Sequence, residues 1–171
     1  VWRSGLALLA AVLLWQMAGR FGLMAQAAYA TITVNTTADD NMVNGNCTLR
    51  EAITAANTNA AFGGCPAGAA GLDVIEFNLG TGTPIITLSG GAPTITQAVT
   101  IDGATGGATR VLLDGVNNSG NGLDLQTSGC TIRSLAIKRF LFGIRIFNGG
   151  GGHTIQNCFI GTNENGDGGG N

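Results

Sequence analysis

The chain is short of charge, of aromatic rings and of imidazole, and each shortage closes off a class of function. Charged side chains make up 11% of its 171 residues, eight Lys or Arg against ten Asp or Glu. A nucleic-acid partner needs a clustered basic face to displace counterions, and the one basic run is Lys138-Arg139, so none is expected. With one histidine and no Cys-x-x-Cys unit, the chain has no zinc-type spacing. That histidine, His153, lies in Gly151-Gly152-His153-Thr154 with no Ser, Cys or acid beside it to form a nucleophilic set, and reads as a solvated turn residue. The 6% of aromatics fits a narrow core filled by Val, Ile and Leu.

What is there begins with a leader. Residues 1 to 30 open with Arg3, run through an apolar stretch from Leu6 to Trp15 and end in Ala28-Tyr29-Ala30, the small-x-small pattern of a cleaved export signal. The mature chain then starts at Thr31. An uncleaved membrane anchor is the alternative, although Arg20 near its middle costs about 3 kcal/mol on insertion scales. Without Arg3 and Arg20 the balance is 6 − 10 = −4. In an oxidising compartment Cys47 and Cys65, 18 residues apart, become a candidate disulfide of about 3 kcal/mol. Cys130 and Cys158 fall at different phases of the repeat described next and read as thiols.

From Leu72 onward, apolar couplets alternate with single polar residues between glycine-rich turns, a pattern of short strands. Two units align. Gly122-Leu123-Asp124-Leu125 matches Gly143-Ile144-Arg145-Ile146 at an offset of 21, and Thr131 to Ile137 matches Thr154 to Ile160 at 23. A period of about 20 to 25 residues built from strands predicts an all-β solenoid, a parallel β-helix. Stacking then places Leu123 over Ile144, Leu125 over Ile146 and Ile132 over Ile155 inside, with Asp124 over Arg145 outside as a ladder pair.

A stack of strands needs a cover at its first edge. The stretch NCTLREAITAAN supplies one. Thr48-x-x-Glu51 is a capping box, and Leu49, Ala52, Ile53 and Ala56 form one apolar stripe, predicting a lid helix over about residues 48 to 57, preceded by a strand from Thr31 to Asn35. Arg50 and Glu51 read as helix-end and surface charges.

These residues, Cys47-Thr48-Leu49-Arg50-Glu51-Ala52-Ile53 with Ala55-Ala56-Asn57, resemble the CSLREA domain, with Thr48 in place of Ser. Thr131 to Ile137 and Phe159-Ile160-Gly161-Thr162 resemble the repeats that follow it. The resemblance implies a bacterial, secreted or surface-displayed right-handed parallel β-helix, part of a longer chain, with no established activity. The expected layout is a leader over 1–30, a cap over 31–70 and coils over 71–171. Gly168-Gly169-Gly170-Asn171 stops in a turn, so the coils are expected to be C-terminally truncated.

The expected role is an exported scaffold for adhesion, as a stalk or in carbohydrate contact. Its partners would be extracellular polysaccharide or cell-surface components, with a membrane engaged only through an uncleaved leader. The alternative is a polysaccharide lyase or glycoside hydrolase of the β-helix type, which would need clustered outward acids. The outward acids are Asp102, Asp114 and Asp124. Asp102-Gly103 and Asp114-Gly115 read as turns, and Asp124 with Arg145 as a structural pair. Calcium candidates are the oxygen-rich loops holding Asp39 and Asp40, and Asn163, Asn165 and Asp167; no other cofactor is expected. Sequons at Asn35, Asn46 and Asn117 would stay bare in a bacterial exporter.

Overall fold

The computed structural model describes residues 29–89, 91–116 and 120–168. The expected leader, of which only Tyr29 and Ala30 are described, and the Asn117-Asn118-Ser119 sequon lie outside these residues.

The short alternating runs become strands, one after another. They are β1 (Thr31–Val34), β2 (Asp73–Phe77), β3 (Ile85–Thr87), β4 (Thr94–Ile95), β5 (Val99–Asp102), β6 (Val111–Asp114), β7 (Asn121–Leu125), β8 (Thr131–Arg133), β9 (Leu135–Lys138), β10 (Phe142–Ile146), β11 (Thr154–Gln156) and β12 (Phe159–Ile160). One helix, α1 (Leu49–Thr58), stands between β1 and β2. The protein is thus strand-dominated, and its paired strands all run parallel.

The strands fall into three sheets, ordered β1-β2-β5-β8-β11, β3-β6-β9-β12 and β4-β7-β10. From β2 onward the chain visits them in strict rotation, returning to the same sheet with every third strand. Turn residues and two-residue alternation explain why. One face of each run is apolar, so a strand that stacks in register on the preceding layer buries it.

Register then lines the inward residues into rows. In the five-stranded sheet Ile32, Ile75, Ile101, Ile132 and Ile155 face one another in turn. Ile86, Leu113, Ile137 and Ile160 make a second row, and Ile95, Leu125 and Ile146 a third. Every member is fully buried except the last, where Ile155, Ile160 and Ile146 are 41%, 42% and 52% exposed. Strands repeat at about 4.8 Å, so each isoleucine is sealed by its neighbours above and below.

The helix closes the opposite end. Thr48 caps it, its hydroxyl accepting from the Glu51 amide at 3.1 Å while the Glu51 carboxylate accepts from the Thr48 amide at 3.0 Å. Leu49, Ala52, Ile53 and Ala56 are buried in the same core as the rows. The helical residues run from 49 to 58 with Thr48 as the cap, within a residue of the expected span of about 48 to 57. One expectation needs correction: Glu51 serves the helix end, but neither it nor Arg50 serves the surface.

Glu51 is fully buried. Room for it exists because residue 63 is glycine with φ of +58°, where a Cβ would lie 1.9 Å from Glu51 Oε1. Arg50 turns inward to Asp39, as described below.

Candidate functional site

The region from Asn35 to Asn59 is held to the first strands by side chains that take the place of missing backbone partners. Asn57 is the clearest. It sits in the last turn of α1, where its Nδ2 donates to the Thr94 carbonyl at 2.7 Å and its Oδ1 accepts from the Thr96 amide at 2.8 Å. A strand residue lying beside Ile95 in a parallel ladder would make the same two bonds. β4 is the edge of its sheet, so one amide side chain stands in for an absent strand.

Asp39 and Arg50 treat the neighbouring segment alike. The Arg50 guanidinium grips Asp39 at 2.7 and 3.0 Å and donates to the Gly91 carbonyl at 2.8 Å, while Asp39 also accepts from the Ser89 amide. Bidentate pairs of this kind fix orientation as well as charge. Replacing Asn57 by Leu, which keeps the volume and removes both partners, is expected to cost about 1–3 kcal/mol. Urea unfolding of the full chain measures it, and a loss within error of zero would refute the strand-substitute role.

The lid is also stapled. Cys47 and Cys65 form a disulfide with Cα atoms 4.6 Å apart, and both residues are buried. Gly64 permits the close approach of the two segments, since a Cβ there would lie 1.9 Å from the Asn46 carbonyl oxygen.

Three outward acids, Asp102, Asp114 and Asp124, are each clasped by an arginine from the next strand layer, whereas Glu76, outward on β2, has no such pair among the described residues. Asp102 pairs with Arg133 at 2.8 Å and Asp114 with Arg139 at 2.6 Å. Asp124 pairs with Arg145, whose Nε lies 2.7 Å from Asp124 Oδ1. The turn reading of Asp102-Gly103 and Asp114-Gly115 is therefore half of the matter. Asp102 accepts from the Ala104 amide and Asp114 from the Val116 amide, but both carboxylates also face cations that the sequence offsets did not reveal.

These pairs set a pH dependence. Burial pushes the Asp114 carboxyl up, but the Arg139 guanidinium and the Val116 amide outweigh it and hold it below the usual 3.8. Arg145 does the same for Asp124 against the pull of burial. A carboxyl whose folded pKa is depressed contributes stability that is present above its unfolded pKa and lost as pH falls through the folded one.

Asp73 has the opposite sign. Its burial raises it, only partly offset by the amides of Ala69 and Ala30, so its contribution is present below about pH 4 and lost as pH rises through the folded value. The expected result is an acid limb below about pH 4 that is smaller in the Asp114→Asn/Asp124→Asn double variant, read by urea titrations between pH 3 and 7. An unchanged acid limb in the double variant would contradict it.

The other candidates stand apart. Of the calcium residues, Asp39 is occupied by Arg50, and Asp40 Oδ1 accepts from the Met42 amide at 3.0 Å. Asn163 Oδ1 accepts from the amides of Asn165 and Asp167, closing its own loop. Among the described residues no three His, Cys, Asp or Glu side chains converge as a metal-ligand group.

Cys130 and Cys158 are free thiols that burial pushes up, which disfavours the reactive thiolate. His153 is not a solvated turn residue. Its Nδ1 accepts from the Cys130 amide at 3.2 Å, because the turn before β11 lies along the turn before β8.

No family model, curated protein or solved structure matches the chain.

Proposed function

We propose that this chain is the N-terminal part of an exported right-handed parallel β-helix, a CSLREA-type cap followed by coils, acting as a scaffold at the cell surface or outside the cell. The observation that carries the reading is the strict rotation through three parallel sheets, with inward rows kept in register by turns. A chain that returns to each sheet every third strand builds length by stacking each layer on the last.

Two further features support a scaffold over a polysaccharide lyase or hydrolase. The outward acids Asp102, Asp114 and Asp124, which such chemistry would draw on, are each neutralised by an arginine. The lid is bound by a disulfide, which suits an oxidising compartment. Partners of such a scaffold are extracellular polysaccharide or other cell-surface components.

Expression of the full chain in a bacterial host, followed by protease treatment of intact cells, tests it. Loss of the protein from intact cells, with no unsaturated product when it is incubated with pectate or alginate, is the expected result. Protection from protease until the cells are lysed would refute display at or beyond the cell surface, and release of unsaturated products would install the enzyme reading instead.

A further inference from the structure

The outer face of the five-stranded sheet differs from those of the other two. Its first outward row is Thr31, Val74, Thr100, Thr131 and Thr154, facing one another strand by strand. Its second holds Thr33, Glu76, Asp102, Arg133 and Gln156. All of these residues are exposed or half-buried. In the β3-β6-β9-β12 sheet the corresponding outward row is apolar, running Ile85, Leu112, Ala136 and Phe159, with Arg110 laid over the Phe159 ring. The β4-β7-β10 sheet has three strands, and the lid helix reaches its first edge.

The threonines of this face are unspent. The hydroxyls of Thr48, Thr54, Thr58 and Thr105 each donate to a backbone carbonyl. Among the described residues, those of Thr31, Thr33, Thr100, Thr131 and Thr154 have no partner. The charges of the face are nearly spent, since Arg133 and Asp102 hold each other at 2.8 Å and leave Glu76 as a single uncompensated carboxylate. A face of regularly spaced free hydroxyls with a net charge near −1 matches a ligand that is itself hydroxyl-rich and uncharged. A polyanion would meet Glu76 with no free cation to offset it.

We propose that this face binds an extended, uncharged β-linked glycan lying across the strands, its successive sugars meeting Thr100, Thr131 and Thr154 at nearly the strand repeat of about 4.8 Å. The inference rests on the scaffold reading and names its partner. Each threonine supplies one hydroxyl as both donor and acceptor to a sugar hydroxyl, and Gln156 and the outer edge of the Asp102–Arg133 pair flank the chain. The two outward rows of this face contain no aromatic ring to stack on a sugar. Binding is therefore weak per sugar and accumulates along the row.

The test uses the full chain in a detergent without a sugar headgroup, mixed with cellulose and, separately, with soluble pectate. The expected result is depletion of the protein by cellulose and no binding to pectate. A Thr100→Val/Thr131→Val variant keeps the shape and strand preference and removes two hydroxyls, so cellulose affinity should fall by about tenfold. Circular dichroism matching the parent establishes that the variant is folded, and a Ser89→Ala variant, off this face, should bind as the parent does.

Absence of cellulose binding, equal binding by the valine variant, or preference for pectate would each overturn the proposal. Those failures leave protease exposure on intact cells untouched, so loss of the glycan partner and loss of the scaffold reading are told apart.

Discussion

Ile101→Ala is expected to destabilise the protein by about 2–5 kcal/mol, while Ile155→Ala in the same row costs less than about 1 kcal/mol. The two side chains are chemically identical and face the same way. Ile101 lies between Ile75 and Ile132 and is fully buried, so truncation leaves a void that its neighbours, fixed by their own strand pairing, cannot fill. Ile155 has Ile132 on one side only and is already 41% exposed, so little apolar contact is lost and no closed cavity forms. Urea unfolding of both variants beside the parent measures the contrast. Equal costs would mean that the row does not behave as a series of stacked seals.

Removal of the disulfide through Cys47→Ala/Cys65→Ala should lower stability by about 3 kcal/mol, or roughly 10 °C in Tm for a domain of this size. The bridge spans 18 residues and encloses α1 entirely, so it limits how far the lid can stray in the unfolded chain. Helix capping does not depend on it. Thr48 and Glu51 bond each other, and Asn57 bonds the β4 edge, with or without the sulfurs. The double variant should therefore fold to the same structure with a lower transition, followed by differential scanning calorimetry. A Tm within about 2 °C of the parent would show that the native contacts alone restrain the lid.

Much of the strand pairing was legible in the sequence because it is local in kind. The offsets of 21 and 23 that align Leu123 with Ile144 and Thr131 with Thr154 are the offsets at which β7 pairs with β10 and β8 with β11. Alternation with a period of two exposes one face, and a turn of similar length brings the next strand back in phase. The capping box was equally plain, since Thr48 and Glu51 interact within one turn.

What escaped depends on loops of unequal length. Asp102 meets Arg133 across 31 residues and Asp114 meets Arg139 across 25, so neither pair shares the offset that exposed Asp124 and Arg145. Arg50 and Glu51 looked like surface charges because a helix this short normally has a wet side. Both faces are in fact in use, one by the core and one by Asp39 and the Gly91 carbonyl. Asn57 could not be assigned from its neighbours in sequence. Its role exists only once β4 is known to lack a strand on one side, a fact about a segment 37 residues away.

The pairing intervals bear on the order in which the molecule can form. Val74 pairs with Thr31 43 residues before it, Thr100 with Val74 after 26, and Ile144 with Leu123 after 21. The first closure is the longest, and the disulfide and lid lie within it. Loop-closure entropy grows only with the logarithm of length, but the first strand of each sheet has no ready edge to dock against, whereas β5 and every later strand find one waiting. On this geometry folding is expected to be templated from the N-terminal side, with the lid and β2 as the slow seed and each following layer added more quickly on the last. A chain threaded out of a cell N-terminus first would acquire structure at the rate it emerges, and the growing layers would oppose its sliding back.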